Sequence, residues 1–492
     1  MKLNYYLTFT LCLSFFSVYS QSYTARLVDS ITQKPIAFAT VQTSDRKGVI
    51  SNDDGYFTLN LEAADSKTIT ISCMGYTTKV YDAARLSTNA VILLSEKINE
   101  LETVYVNTEK PNIDSIIKRV NQNLSKNYKH DNTQFSVFHR STNNMDFDRL
   151  DFDIDKASGI RKTKLKEANK SLDSLANTVK NSKIVSFKDF AGEYYLATAK
   201  KPKFKAHKAT LLVDKAKDFS LENVEQKGKT LILKYLDTTK TYKLKSGLFK
   251  VEDSLSLADE MQKEQENKHE FTIDNLKSEV SSLLHKTFFN PESFMHNLVN
   301  PDWYTFSLED ITYYQNELVY VVHFSPKKSK AKYSGTLYIS DVDYGVLRAD
   351  YQFAKGKRGQ KFNVRLLLGI KYIENHKKGI VLFNKDTLYQ YKPKYFFEEQ
   401  GRYIYVHRPL KFKENSPEKN KVAFDFLLEG NVYDKSELLI MDTQTLTPQQ
   451  FDAVKEEKTI PYQYLKAYNP DLWKEFNAIE PLEEMKQFKS VE

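Results

Sequence analysis

Between Trp303 and His407 the chain is a succession of short alternating apolar and polar runs joined by polar tips, and this alternation constrains the fold more than any other feature. Leu318 to Phe324 leads to a basic tip at Lys327, Lys328, Lys330 and Lys332. Ser334 to Ser340 turns at Asp341-Val-Asp-Tyr-Gly345 into Val346 to Phe353. A second basic tip, Lys355 to Gly359, leads into Phe362, Val364, Leu366, Leu368 and Ile370, and Asn375 to Gly379 reads as the next turn. A period of two puts alternate side chains on opposite faces, so each run is a strand with an apolar side. Consecutive hairpins of this length predict one large, twisted antiparallel meander. Aromatic residues make up 13% of the chain and suit pleated faces. Glycine is scarce, 15 in 492 residues, which argues against folds built on glycine-rich phosphate loops.

A sheet of this kind cannot leave its apolar face in water, and three helical stripes are its predicted cover. Asn112 is a good N-cap before Ile113, Ile116, Ile117, Val120 and Leu124. Lys162 to Lys180 places Leu165, Ala168, Leu172, Leu175, Ala176 and Val179 on one face with lysines opposite. Ile273, Leu276, Val280, Leu283, Leu284 and Phe288 form a third stripe. The strand-rich region runs from Gln134 to about Leu428. The domain reading is therefore a connector and docking helix over 97–132, an antiparallel sheet domain with helical insertions over 133–430, and a helical or irregular tail over 431–492.

A separate small unit precedes these. From Tyr23 to Ser95 roughly seven short strands are punctuated by turn signals, the spacing of a small antiparallel β-sandwich over 22–96. Thr68-Ile-Thr-Ile-Ser72 is a clean period-2 strand, and Asn52-Asp53-Asp54-Gly55 reads as a capped hairpin turn. It lacks the carboxylate spacing of an EF-hand calcium loop. The whole fold is thus mainly β: a small sandwich followed by a larger α+β domain.

The residues Asp29, Lys34-Pro35-Ile36, Ala39-Thr40-Val41, Asp53, Gly55, Phe57 and Gly75-Tyr76 together resemble the carboxypeptidase-regulatory-like domain, a transthyretin-like β-sandwich. The resemblance covers about 75 residues. It implies a fold and an exported setting, since in Bacteroidetes such domains commonly follow a signal peptide in envelope proteins. It implies no peptidase activity. The tail from Ile460 to Lys489 resembles the ends of other, poorly characterised Bacteroidetes envelope proteins with the same leading domain. Gly335 to Phe353 is similar to sheets of periplasmic lipoprotein-carrier-like proteins.

Residues 1–20 read as a secretory signal peptide: Lys2, an apolar run from Leu7 to Val18, and the small Ser20 before Gln21. Cys12 lies inside that run, so cleavage leaves Cys73 as the one cysteine and no intrachain disulfide. No later stretch reaches the roughly 18 continuous apolar residues of a membrane helix. The expected location is the periplasm or the outer membrane's surface. A β-barrel is the rival, and the charged segment Lys156 to Lys188 and the non-strand ending argue against it.

The net charge of +8 is carried by the chain after the sandwich, with seven lysines between Ala199 and Lys217. Such a cluster either binds anionic surfaces or guards strand edges against pairing. Export excludes nucleic acid as a partner; envelope proteins, lipid or glycan are the expected ones.

No catalytic residue, metal ligand or cofactor site emerges. None of the nine histidines (130, 139, 207, 269, 285, 296, 323, 376, 407) begins a His-x-x-Glu, and no Gly-x-Ser-x-Gly occurs. Ser115-Ile-Ile-Lys118 falls on the first helix without an accompanying Lys-Thr-Gly. Cys73 ends a buried strand. Asp151, Asp153 and Asp155 alternate as on one polar strand face, the geometry that a glycosidase or calcium site could share. The leading expectation is a non-catalytic envelope protein, not an enzyme, with an adaptor sandwich and a sheet that binds or scaffolds. The alternatives are an outer-membrane barrel or receptor-associated component, an envelope hydrolase with an unfamiliar site, and a glycan-binding module using Trp303 or Trp473.

Overall fold

The computed structural model describes residues 21–44, 48–61, 68–82, 87, 89–97, 111–129, 132–181, 184–198, 200–214, 236–237, 239–247, 249–256, 270–386 and 388–490. The signal-peptide reading of 1–20 with Cys12, and His130, His269, Lys215 and Lys217, lie outside them.

Seven strands build the first unit: β1 (Gln21–Asp29), β2 (Thr40–Thr43), β3 (Gly48–Ile50), β4 (Tyr56–Leu61), β5 (Thr68–Ser72), β6 (Lys79–Asp82) and β7 (Ala90–Leu94). They form two sheets, ordered β4-β1-β7 and β3-β2-β5-β6. The alternation read from the sequence points Leu27, Val41, Phe57, Leu59, Ile69 and Ile71 inward, where they are fully shielded from water. One pairing departs from the antiparallel expectation: β7 runs parallel to β1, from Ala25 opposite Ala90 to Asp29 opposite Leu94. The chain reaches β7 by crossing from the other sheet, and a crossover can deliver a strand parallel to its neighbour where a tight hairpin cannot.

After α1 (Ile113–Asn127) come β8 (Thr133–Ala157), α2 (Lys162–Lys180), β9 (Ile184–Leu196), β10 (Lys203–Val213), β11 (Thr241–Ser246), β12 (Phe249–Ser256) and β13 (Glu270–Thr272). Next are α3 (Ile273–Thr287), α4 (Phe294–Leu298), and the hairpin strands β14 (Tyr304–Tyr314), β15 (Glu317–Pro326), β16 (Tyr333–Ser340) and β17 (Val346–Phe353). The chain continues through β18 (Lys361–Val364), the single turn α5 (Arg365–Leu368), β19 (Ile370–Lys385), β20 (Tyr391–Glu414) and β21 (Lys421–Thr445). It ends in α6 (Pro448–Ala453), β22 (Thr459–Pro461), β23 (Gln463–Leu465), a 3-10 turn (Pro470–Trp473) and α7 (Glu483–Lys486).

Fourteen of these strands make one sheet, ordered β14-β15-β16-β17-β19-β20-β21-β8-β9-β10-β23, with β18 on β19 and the β11–β12 hairpin on β20. The hairpins from β14 to β17 are the ones the alternation predicts. Closing the sheet onto β8, through pairs from Val422–Ala157 to Thr445–Thr133, needs residues nearly 300 positions apart, which no local pattern announces. Strands β8, β20 and β21 run for 25, 24 and 25 residues, about 80 Å each at the usual strand rise.

These three long strands have a near half and a far half. On the near half, even-numbered residues of β20 and β21 such as Phe396, Leu438 and Ile440, with odd-numbered Phe135 and Val137 of β8, pack with Ile116 and Val120 of α1, Val280 and Leu284 of α3, and Met295 of α4. Odd-numbered residues Tyr395, Phe397 and Leu439 pack instead with Val41, Val49 and Ile71 of the sandwich. The sheet is therefore a middle layer, helices on one side and sandwich on the other. Each such aliphatic or aromatic side chain is worth about 1.5–3 kcal/mol when buried. On the far half, even-numbered Ile404, Leu428 and Val432 lie under Ala176 and Val179 of α2.

Two local expectations are corrected. Phe362 to Ile370 is not one alternating strand: Gly369 adopts φ +66°, in the left-handed region, and Arg365–Leu368 form a helical turn before it. Leu366 and Leu367 are consequently left in solvent. Asn375 to Gly379 is not a turn but lies inside β19, hydrogen-bonded into the sheet between β17 and β20. Gly379 is needed there for close approach, because a Cβ would sit 2.3 Å from the Tyr351 ring. Pairing on both sides overrides the turn-like composition. The last long strand, β21, also crosses residue 430 and carries the sheet to Thr445.

Candidate binding surface

The sandwich and the tail close one face of the near half, odd-numbered in β20 and β21 and even-numbered in β8, and a row of buried polar groups fastens them. Arg140 of β8 holds Asp189 of β9 through two parallel bonds, Nε to Oδ1 at 2.9 Å and Nη2 to Oδ2 at 2.7 Å. Its Nη1 donates to the Ile479 carbonyl at 3.0 Å. Burial alone would lower the pKa of Arg140, but the Asp189 carboxylate outweighs it and keeps the guanidinium charged. Tyr395 Oη donates to Glu437 Oε1 at 3.0 Å, and Lys435 bridges Glu437 and Asp53 of the sandwich.

Lys394 is placed by a bulge. Leu382 pairs with Tyr395 and Phe383 with Pro393, so Lys394 is the extra residue and turns to the sandwich side. Its Nζ donates to the Gly48 carbonyl at 3.0 Å and the Ile440 carbonyl at 2.9 Å. Burial pulls its pKa down to about 8, opposed only partly by Asp442.

The Asn52–Gly55 turn completes the clamp. Asn52 Oδ1 accepts from the backbone N–H of Asp54 and Tyr56, as a capped hairpin turn requires, and Asn52 Nδ2 donates to the carbonyls of Glu480 and Pro481. Trp473 stands edge-on to Phe138, ring centroids 5.1 Å apart. Residues 25–106 match the family model of the CarboxypepD_reg-like domain. No curated protein and no solved structure matches the chain. The CarboxypepD_reg-like domain sits here as one wall of a three-layer core, packed against its own chain's sheet and tail.

Beyond Gly401 neither the CarboxypepD_reg-like domain nor the tail covers the odd-numbered face. It presents Tyr403 and His407 of β20, Asp425, Glu429 and Tyr433 of β21, and Arg149, Asp151 and Asp153 of β8, while Tyr405 on the same face is 4% exposed beneath the Arg365 guanidinium. Tyr403 Oη bonds Glu429 Oε1 at 2.5 Å, and His407 Nε2 lies 3.0 Å from Asp425 Oδ2. Tyr433 is 41% exposed. Of the acidic trio, Asp151 and Asp153 share this face. Asp155 is the bulged residue between the Phe424–Ile154 and Ala423–Lys156 pairs, exposed between Ile154 and Ala157, which both face the core under α2. Burial, reinforced by Asp173, Asp155, Asp151 and Asp425, raises the pKa of Asp153. This band suits polar ligands and ring stacking.

A polar cavity of about 220 Å³ opens between the tail and the sheet, lined by Gln134, Ser136, Glu193, Asp442, Gln444 and Glu475 among others. Gln134 donates to Glu193 and Gln444 to Asp442, while His207 lies 3.4 Å from Glu193.

The other sequence candidates are dispersed. His376 pairs with Glu399, His407 with Asp425 and His323 with Glu309, each on a different carboxylate. Among the described residues no three His, Cys, Asp or Glu side chains converge as a metal site would require. His139 is buried beside Phe190, and burial followed by the nearby Lys188 charge drops its pKa to about 3. Ser115 is exposed on α1, its backbone N–H bonded to Asn112. Trp473 is core, 6% exposed, and Trp303 lies beneath the Lys330 ammonium, 3.9 Å from the ring centroid. Within the Ala199–Lys217 cluster, Lys200 pairs with Asp452, and Lys203 donates to the carbonyls of Phe451, Asp452 and Val454. Lys208 donates to the Leu472 carbonyl. Those three lysines are fasteners for the chain's own C-terminal part.

The residues that sequence reasoning passed over are Arg140, Asp189, Lys394 and Glu437. Their signal was present: a charged side chain inside an otherwise apolar run, as in Val137-Phe-His-Arg140 and Asp189-Phe-Ala191. A buried charge there must have a partner from elsewhere in the chain.

Proposed function

We propose that this is an exported, non-catalytic cell-envelope protein whose large sheet serves as a binding or scaffolding surface. The CarboxypepD_reg-like domain acts in it as a docked brace rather than a swinging adaptor. One observation carries the reading: the same sheet face that is sealed by the brace over the near half is, among the described residues, covered by neither brace nor tail over the far half, where Tyr433 and charged groups reach the surface. A sheet long enough to need 24- and 25-residue strands, yet covered on one side over only part of their length, is built to present a surface. The signal-peptide reading of 1–20 supports the compartment.

The test has two parts. N-terminal sequencing of the chain recovered from a Gram-negative envelope is expected to begin near Gln21. Affinity purification of the full chain, with mass spectrometry of co-purifying proteins and lipids, is then compared with Tyr433→Asp and Asn431→Arg variants of the open face. Species retained by the wild type and lost from both variants support the reading. Retention of the leader in the cytoplasm, or identical recovery with all three chains, overturns it. The hydrolase alternative has one observation on its side, the cavity with Glu193, Asp442 and Glu475.

A further inference from the structure

At the far end of the open face the sheet carries lysines directly opposite lysines. Lys243 of β11 pairs with Lys413 of β20, which pairs on its other side with Lys421 of β21. One step inward, Lys245 pairs with Lys411 on one side and Lys250 of β12 on the other. Lys411 and Lys413 are two apart in one strand, so the pairs share a face, and all six lysines are exposed. Lys250 reaches Asp253, but none of the other five has a carboxylate within ion-pair distance among the described residues. Like charges directly opposite on a sheet repel. The nearest helix end adds to the field: α2 begins beside this edge with Arg161, Lys162 and Lys164, and no acidic residue in its first turn. Cations there face the positive end of the helix dipole. Among the described residues Asp253 is the carboxylate that offsets this ladder, acting on Lys250 and Lys243, and the surplus of positive charge draws anions from outside.

Next to this ladder the structure exposes apolar side chains. Leu366 is fully exposed, Leu367 83% and Phe362 48%, all at the β18–α5 tip. The tip leans over the same face, the Arg365 guanidinium carbon lying 4.0 Å from the centroid of Tyr405, and Lys371 stacks on Tyr403. His407 N donates to the Gly369 carbonyl and Gly247 N to the Pro409 carbonyl, so the tip and the ladder follow one another along the same side of β20, about 13–20 Å apart at the strand rise. A basic field around a projecting leucine pair matches an anionic bilayer: phosphates for the lysines, acyl boundary for the leucines.

We infer that the lysine ladder of β11, β20 and β21, with the Leu366–Leu367 tip, is a docking surface for an anionic lipid membrane. The inference names the partner of the open face proposed above and rests on that reading. Its test needs no cell envelope, so the two fail separately: loss of vesicle binding alongside a protein captured through Tyr433 removes only this inference.

The experiment is co-sedimentation of the full mature chain with vesicles of phosphatidylcholine alone or with one quarter phosphatidylglycerol, at low and high salt. The wild type is expected to partition onto the anionic vesicles only, and to be released by about 0.5 M salt. K411Q/K413Q/K421Q is expected to lower the partition coefficient at least about tenfold, and L366S/L367S about tenfold. Both variants should keep the wild-type melting temperature or, for the lysine variant, exceed it as repulsion is relieved. Unchanged partitioning of either variant, equal binding to the zwitterionic vesicles, or binding of soluble polyphosphate as tight as that of vesicles overturns the inference.

Discussion

Arg140 grips Asp189 on the neighbouring strand through two parallel hydrogen bonds, with both side chains almost wholly buried, and extends its last nitrogen to the tail carbonyl of Ile479. A buried pair of this kind is weak evidence for net stability, because desolvating two charges offsets most of their attraction, but breaking it strands one charge in the core. Asp189→Asn or Arg140→Met alone is therefore expected to lower the unfolding free energy by about 3–5 kcal/mol, read from urea midpoints. The double change Arg140→Met with Asp189→Leu should cost much less. A double variant as unstable as the worse single one would remove the account of the pair as a matched set.

Lys394 makes the junction between the CarboxypepD_reg-like domain and the sheet sensitive to alkali in an unusual direction. Its folded pKa, about 8, lies below the ordinary lysine value of 10.5. The unfolded chain therefore binds the extra proton between these two values, and stability rises with pH across that window. The contribution is complete above pH 10.5 and is lost as pH falls through 8, amounting to about 3 kcal/mol at most. Tyrosine ionisation in the unfolded state works the other way near pH 10, so the signal is a difference. The stability gap between wild type and Lys394→Met should move in favour of the wild type from pH 8 to 10.5. A gap independent of pH would show that burial does not depress the Lys394 pKa.

The sandwich strands, the three cover helices and the β14–β17 meander were all legible, because each is written in a local period of two or 3.6. Asn112 even marks the start of α1 in the sequence, and its side chain accepts from Ser115 N in the structure. What was not legible depends on distance along the chain. The pairing of β21 with β8, the bulge that turns Lys394 about, and the tail's bond from Arg140 to Ile479 each join segments that no window contains together. The lysine ladder is of the same kind: Lys243, Lys411 and Lys421 are unremarkable apart and become a field only when three strands align.

Cys73 should be silent in the native protein. It is 7% exposed, and burial pushes its thiol up to about 11, the nearby Arg348 opposing this only in part. At pH 8 the thiolate that reacts with disulfide reagents is scarce and shielded. Native protein incubated with a thiol-specific chromogenic disulfide is expected to show negligible modification of Cys73 over an hour, against complete modification in denaturant. Stoichiometric labelling under native conditions would mean that the seam between sandwich and sheet opens readily.

The two tryptophans should separate core from periphery. Trp473 is 6% exposed, set edge-on to Phe138 and 5.7 Å from Phe476, and it is the largest side chain by which the tail enters the core shared by the sandwich and the sheet. Trp303 only borders the helix-side core, its ring carrying the Lys330 ammonium. Replacing the first by alanine opens a cavity in a well-packed seam and is expected to cost about 3–5 kcal/mol. Replacing the second removes partial burial and a surface cation–π contact, about 1 kcal/mol or little more. Limited proteolysis gives the structural readout: Trp473→Ala should expose cleavage sites between Tyr468 and Lys486 under conditions where Trp303→Ala and the wild type stay intact. Equal losses of stability, or a tail that resists protease in both variants, would mean that the tail is held chiefly by its polar bonds to Asn52, Thr58 and Asn60 and not by the tryptophan.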